Sequence, residues 1–383
     1  MKKTVLDYKV KGKKVILRCD LNVPIKDGII MDDTRIKEST KTIKHLVMNG
    51  AKVIILSHLG RIKDESDKLS NSLLPVAKRL SEILGMAVNF IPYTRGSEVD
   101  NAISNMNNGD IVMLENTRFE DLNGNLESNC DIGLSSYWAS LGDIFINDAF
   151  GMTHRKHASN YGISKYLPSG IGFLIEKEIK GLEPVINPIH PFVIIMGGAK
   201  VNDKLDIIKG LLPKCDYLLV GGGIANSFLA CYSNVGKSLI DEDKIEDLKV
   251  LLSEYKEKII IPTDVIVDEN ENIKNLRIDN LTNDSTIYDI GSETINNYAK
   301  YINDAKTIFL NGTMGLYEDD KYLSGTKEIL NLVSKSSAVK IAGGGDALAS
   351  IEKFNVKGFD YKSTGGGATL EYIKSGKLKC FEN

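Results

Sequence analysis

Short apolar runs rich in β-branched residues recur along the chain, separated by stretches with helical spacing. In the first half the runs fall at residues 15–18, 53–56, 111–114 and 144–146. They are nearly continuous in their apolarity, which predicts strands covered on both faces. Residues 34–48 and 73–84 carry apolar positions three and four apart and predict amphipathic helices. The second half repeats the alternation. Its strands are expected at 192–196, 217–220, 259–261, 307–310 and 339–341, with helices at 244–255, 294–301 and 327–333. Strand–helix alternation predicts an α/β fold with parallel sheets covered by helices. Two such series predict two doubly wound, Rossmann-like domains.

Pro168-Ser169-Gly170 is expected to break the chain between them. Residues 173–185 then read as a helix, ended by Asn187-Pro188 and Pro191. This divides the chain into a first domain at 1–172, a hinge helix at 173–187 and a second domain at 188–369. A length of 383 residues agrees with two cores.

Composition narrows the function. The net charge is −3, so no global basic field points to nucleic acid or a membrane surface. No run of apolar residues is long enough to span a bilayer, and no apolar leader follows the first residues. Five scattered cysteines without a C-x-x-C spacing are expected as reduced thiols of a cytoplasmic protein.

The cations are skewed. There are 40 lysines and 8 arginines, and seven of the arginines precede residue 156. Where lysine is the default cation, arginine marks positions that need a planar, two-pronged donor for an anion. The glycine clusters Gly197-Gly198, Gly221-Gly222-Gly223, Gly343-Gly344-Gly345 and Gly365-Gly366-Gly367 all lie in the second half. Glycine loops that open helices expose backbone N–H groups to phosphates.

Ligands of doubly wound sheets bind beyond the carboxyl ends of the strands. Those positions carry Asp20 and Asn22, His58 and Arg61, Arg118, and Arg155 in the first half. With Arg35 they form a candidate anion pocket. Asp20 and Asn22 either accept hydroxyl donors or cap a turn. Arg79 and Arg95 are expected on the solvated surface, and Arg18 as a structural strand residue. In the second half Lys200 and Lys204, four apart after Gly197-Gly198, are expected at the start of a helix as a phosphate site. Val235-Gly236-Lys237-Ser238 ends like a phosphate-binding P-loop but has Cys231 where the first glycine belongs. No G-x-G-x-x-G, G-x-S-x-G or H-E-x-x-H occurs, which disfavours dehydrogenase, serine hydrolase and zinc protease chemistry.

Taken in order, several segments resemble the phosphoglycerate kinase family over essentially the whole chain. They are Arg18-Cys19-Asp20-Leu21-Asn22-Val23-Pro24, Asp33-Thr34-Arg35-Ile36, Ser57-His58-Leu59-Gly60-Arg61 and Leu114-Glu115-Asn116-Thr117-Arg118-Phe119. His154-Arg155-Lys156-His157-Ala158-Ser159, Gly197-Gly198-Ala199-Lys200-Val201-Asn202-Asp203-Lys204 and Asn311-Gly312-Thr313-Met314-Gly315 follow. Gly343-Gly344-Gly345-Asp346 and Ser363-Thr364-Gly365-Gly366-Gly367-Ala368 complete the set.

The resemblance implies a monomeric kinase that moves a phosphoryl group between 1,3-bisphosphoglycerate and ADP. It implies that Asp20, Leu21, Asn22, Arg35, His58, Leu59, Gly60, Arg61, Arg118 and Arg155 hold 3-phosphoglycerate. It implies that Lys200, Lys204, Gly291, Glu318, Gly344, Gly345, Asp346, Ala347 and Gly366 meet ADP or ATP, with Glu318 on the ribose. Asp346 would meet the magnesium that rides on the nucleotide, and Arg35 and Lys200 would clamp the transferring phosphoryl. Residues 370–383 would return to the first domain. Ile62, Thr313, Ser292, Asn202 and Ala347 depart from the family pattern, and none of them removes a charged group. A non-catalytic nucleotide binder and a phosphotransferase for another small acid are the rival readings.

Overall fold

A computed structural model describes residues 3–202 and 204–381 of the chain. Asp203 of the lysine motif and the final Glu382 and Asn383 of the expected tail lie outside the described residues. The chain divides into two compact units, Met1–Lys180 with Lys377–Asn383, and Gly181–Gly376. The boundary falls inside one helix, Phe173–Ile186. Residues 370–376 differ from the expected tail. They end a helix, Gly367–Ser375, that packs in the second unit, where Lys214 Nζ donates to the carbonyls of Ile373 at 2.9 Å and Lys374 at 2.6 Å.

The first unit is built on a six-stranded sheet. Its order is Asn89–Ile91, Ile111–Leu114, Lys52–Leu56, Lys14–Cys19, Ile144–Asp148 and Ser169–Ile171, all parallel. The pleat sends alternate residues to opposite faces. Val15, Leu17, Val53 and Ile55 pack with Ile36, Ile43 and Leu46 of the helix Thr34–Met48. Ile16, Ile54 and Leu56 pack on the other face with Leu134 and Trp138. Ser169–Ile171 corrects the expected break at Pro168. Pro168 sits just outside the strand, where its missing N–H is not needed, and its carbonyl accepts Phe145 N–H at 3.0 Å.

The second unit has a parallel sheet ordered Ile259–Ile260, Tyr217–Val220, Phe192–Met196, Thr307–Asn311, Val339–Gly343 and Tyr361–Ser363. Numbered along the chain, that order is 3-2-1-4-5-6, the doubly wound dinucleotide-fold order. The winding reverses between Phe192–Met196 and Thr307–Asn311. A three-stranded antiparallel sheet, Asn272–Arg277, Asp264–Glu269 and Thr286–Ile290, adds to the expected architecture. Its outer strand is exposed at almost every position, so no apolar alternation marks it. Among the described residues no helix is long and apolar enough to cross a membrane.

Asp148, at the end of its strand, caps the Phe173–Ile186 helix. Its Oδ1 accepts the N–H groups of Leu174 at 2.8 Å and Ile175 at 3.3 Å. A Cβ at Gly172 would lie 2.3 Å from its Cγ, so only glycine lets the chain pass there. Burial pushes this carboxyl up from 3.8 to about 6, and the Thr42 hydroxyl and the helix N–H groups only partly oppose it. The folded state therefore holds the Asp148 proton more tightly than the unfolded state. That contribution to stability is fully present below pH 3.8 and is lost as the pH rises through about 6. Asp148→Asn removes the titration. The stability of the wild type relative to this variant is expected to fall between pH 4 and 7, by at most about 3 kcal/mol. Urea titrations across that range check it, and parallel curves would refute it.

Candidate functional site

The first-unit candidate residues follow the carboxyl ends of Lys14–Cys19 and its neighbours, where the sheet order reverses. Asp20 follows the first strand, is nearly buried, and accepts Arg35 Nη1 at 2.8 Å. Arg35 reaches it from the first turn of the Thr34–Met48 helix. The Asn22 side-chain oxygen accepts Gly60 N–H at 2.9 Å. Gly60 has φ +63, and an added Cβ would lie 2.1 Å from Asn71 Oδ1, so the turn requires glycine. Leu21 and Leu59 are buried, and their N–H groups are already taken by Ser57 Oγ at 3.1 Å and Asn116 Oδ1 at 3.2 Å. These leucines shape the loops from below.

Arg18, Arg35 and Arg118 all act on His58. Burial pushes the imidazole well below its ordinary value, and those three guanidiniums and His157 push it the same way. Arg155 is lowered first by burial and then by Arg118 and Arg61. His157 is pushed down to about 3 by burial, with Arg118, Arg18 and Arg155 adding to it. Arg18 and Arg118 thus act on both imidazoles, and Arg118 and Arg61 act on Arg155. Arg118 is steadied by Asp121 at 3.5 Å and Ser128 Oγ at 3.3 Å. Clustered guanidiniums of this kind favour an anionic ligand. Arg79 and Arg95 stand apart on carboxylates. Arg79 Nη2 meets Asp33 at 2.8 Å and Arg95 meets Glu120 at 3.0 Å.

In the second unit three loops meet where the sheet order reverses. A Cβ at Gly197 would lie 1.8 Å from the Thr313 carbonyl oxygen, and one at Gly223 would lie 2.0 Å from that of Ala199. Lys204 Nζ donates to the Gly197 carbonyl at 2.7 Å. Asn311 Nδ2 donates to Gly343 O at 2.6 Å, and its buried Oδ1 has no hydrogen-bond partner among the described residues. Beside these loops lies a cavity of about 480 Å³, lined by Gly198, Ala199, Gly222, Gly223, Glu318 and Asp346 on its polar side. Val265, Ile287, Tyr288, Leu239 and Leu316 supply an apolar wall. That volume and mixed lining suit a small organic ligand.

The structure corrects the placement of the two lysines. The described helix runs Leu205–Leu211, with Lys204 at its N-cap, and Lys200 lies on the exposed loop before it. Asp241 accounts for this, because its Oδ2 accepts Val201 N–H at 2.6 Å and Asn202 N–H at 3.0 Å and holds that loop out of helix. Glu318 and Asp346 line the cavity, whereas Lys200, Lys204, Gly291, Gly344, Gly345, Ala347 and Gly366 lie outside its lining. Gly291 N-caps the helix Ser292–Asp304, and a Cβ there would meet Asp264 at 2.3 Å. Ala347 is fully buried, Gly344 N-caps Gly345–Lys353, and Gly366 N-caps Gly367–Ser375. Sequence reasoning missed the apolar wall, Asp241, and the buried Ser57 and Asn116.

A magnesium ion carried by a nucleotide needs one or two protein carboxylates beside the phosphates. Asp346 fits that demand, since it is exposed in the first turn of Gly345–Lys353 and lines the cavity. No group of three or more His, Cys, Asp or Glu is placed to hold a metal among the described residues.

Residues 5–377 match the family model described as phosphoglycerate kinase. A phosphoglycerate kinase of Lactobacillus delbrueckii subsp. bulgaricus is 46% identical over 389 residues, covering 98% of this chain and 96% of the relative. One from Enterococcus faecalis is 46% identical over 386 residues, covering 98% and 97%. The solved phosphoglycerate kinase of Coxiella burnetii superposes with a TM-score of 0.87 at 35% identity, covering 99% of this chain and 98% of that one. That of Pyrococcus horikoshii OT3 gives 0.83 at 31%, covering 99% and 97%.

Proposed function

The chain belongs to the phosphoglycerate kinase family, and from that premise we propose how its residues divide the work. It is a glycolytic kinase that reversibly transfers the acyl phosphate of 1,3-bisphosphoglycerate to ADP, giving 3-phosphoglycerate and ATP. Asp20, Asn22, Arg35, His58, Arg61, Arg118 and Arg155 hold the phosphoglycerate. The geometry that supports this assignment is Arg18 Nη2 at 3.2 Å from His58 Nδ1 beside the Asp20–Arg35 pair at 2.8 Å. Asp20 accepts a substrate hydroxyl while holding Arg35, and the arginines take the carboxylate and phosphate as two-pronged donors.

The nucleotide occupies the second-unit cavity. Its flat base lies against Leu239, Val265 and Leu316, its ribose reaches Glu318, and its phosphates lie toward the Gly197, Gly312 and Gly344 loops with Lys200 and Lys204. Asp346 holds the magnesium, which neutralises phosphate charge when bound. Arg35 and Lys200 stabilise the equatorial oxygens of the phosphoryl in flight. No general base is required, because the acceptor oxygens are already anionic. Each ligand has its own unit, so in-line transfer requires the two to be brought together and water to be excluded. Closure about the shared Phe173–Ile186 helix is part of the proposal, as are a cytoplasmic location and a monomeric state, both supported by family membership.

A coupled assay with magnesium, ATP and 3-phosphoglycerate is expected to give steady turnover. Other phosphorylated acids in its place should give little. Absence of turnover while calorimetry shows both ligands binding would overturn the catalytic assignment.

A further inference from the structure

Behind the arginine pocket lies a buried polar relay with one direction. Glu127 is fully buried. Its Oε1 accepts the Ser159 hydroxyl at 2.5 Å, and its Oε2 accepts Ser159 N–H at 2.9 Å. Its backbone carbonyl accepts Ala158 N–H at 2.9 Å. Ser159 Oγ in turn accepts Arg18 Nε–H at 2.9 Å. Arg18, about 1% exposed, donates Nη1–H to Cys19 O at 2.5 Å, and its Nη2 lies 3.2 Å from His58 Nδ1.

Chemistry fixes every proton in this chain. A guanidinium only donates, so His58 Nδ1 must accept and the neutral ring carries its proton on Nε2. A serine hydroxyl has one proton. Ser159 receives from Arg18 and gives its own to Glu127. We propose that Glu127 is a positioning residue for the phosphoglycerate pocket, acting through Ser159 and Arg18 to hold His58 as a neutral imidazole that donates from Nε2. This rests on the reading of His58 as a substrate-binding residue.

The charges around the relay agree. Arg18 faces Glu127, Asp20, Cys19 and Arg118, and Glu127 faces Arg18 and Asp121. Burial disfavours the charge on both Arg18 and Glu127, and each offsets part of that cost for the other. Only a carboxylate satisfies both Ser159 donors at once. In Glu127→Gln, either the new NH₂ opposes Ser159 N–H, donor against donor, or it forces the Ser159 hydroxyl to lose its acceptor. Either way Ser159 shifts, its oxygen no longer holds Arg18 Nε–H, and the released guanidinium leaves His58 Nδ1 without its donor.

The test uses the full chain labelled with ¹⁵N-histidine. Long-range ¹H–¹⁵N spectra report which ring nitrogen is protonated, and the signal lost in His58→Asn assigns His58. The wild type is expected to show an unprotonated Nδ1 and a protonated Nε2. In Glu127→Gln that pattern should change, and KM for 3-phosphoglycerate should rise about 10-fold with KM for ATP unchanged. Ser159→Ala, which deletes only the hydroxyl, should reproduce both effects and is read if the glutamine variant does not fold. An unchanged ring pattern in these variants overturns the relay. A changed pattern with an unchanged KM for 3-phosphoglycerate overturns the substrate role of His58, and the proposal with it. Equal rises in both KM values point to general damage and likewise overturn it.

Discussion

Replacing Arg35 by alanine is expected to lower kcat by about 100–1,000-fold, a loss of about 3–4 kcal/mol of transition-state stabilisation. Arg35 stands in the first turn of Thr34–Met48, and Asp20 takes one nitrogen of its fork at 2.8 Å. The pair fixes the guanidinium in direction while leaving donors for an anion. A phosphoryl in transfer spreads charge over three equatorial oxygens, so a pre-aimed fork acts more on the transition state than on bound substrate. The loss should therefore appear mainly in kcat, with a smaller change in KM for 3-phosphoglycerate. Arg35→Lys should recover only part of the rate, because an ammonium is a point charge on a flexible stem. Steady-state kinetics of both variants check this. A loss below about 10-fold in Arg35→Ala would remove Arg35 from the clamp.

This residue was legible in the sequence for a reason that does not extend to its supports. In a lysine-dominated chain, Arg61, Arg118 and Arg155 after strand ends are a signal that survives without coordinates, and the rarity of arginine with the Asp33-Thr34-Arg35-Ile36 segment adds Arg35, which lies in a helix. The parallel strands were legible too, because runs such as 192–196 are buried on both faces and read as continuous apolar blocks. Glu127, Ser57, Asn116 and Asp241 were not. They work through buried hydrogen bonds to residues distant in sequence, and spacing carries no trace of such pairings. The antiparallel sheet escaped for the opposite reason, since an exposed strand such as Asn272–Arg277 has no apolar face to betray its period. Leu239 and Leu316 are 51% and 41% exposed, so in sequence they read as ordinary surface leucines, yet they wall the cavity. Lys200 and Lys204 had helical spacing, but the grip of Asp241 on the intervening loop overrode it.

Gly223→Ala is expected to weaken ATP binding by about 100-fold while leaving 3-phosphoglycerate binding unchanged. The added Cβ would sit 2.0 Å from the Ala199 carbonyl oxygen and 2.8 Å from its carbon. Both obstacles are backbone atoms, so no rotamer change relieves the clash. The loop bearing Gly198, Ala199 and Lys200 must retreat by roughly 1 Å, a shift that commonly costs two orders of magnitude where geometry matters. Overpacking of this kind also costs about 1–3 kcal/mol of stability. The residues proposed to hold phosphoglycerate all belong to the first unit, so that affinity serves as an internal control. Separate calorimetric titrations with magnesium–ATP and with 3-phosphoglycerate read the two effects, and ATP affinity within about 3-fold of wild type would refute the close-packed-loop account. The contrast with Lys200→Ala sharpens the point. Lys200 lies on the same loop but is exposed, so its loss should lower kcat without moving the backbone, whereas Gly223→Ala should reduce affinity without removing a charge. If the glycines serve only to let three backbones meet, the two variants should separate loop position from charge.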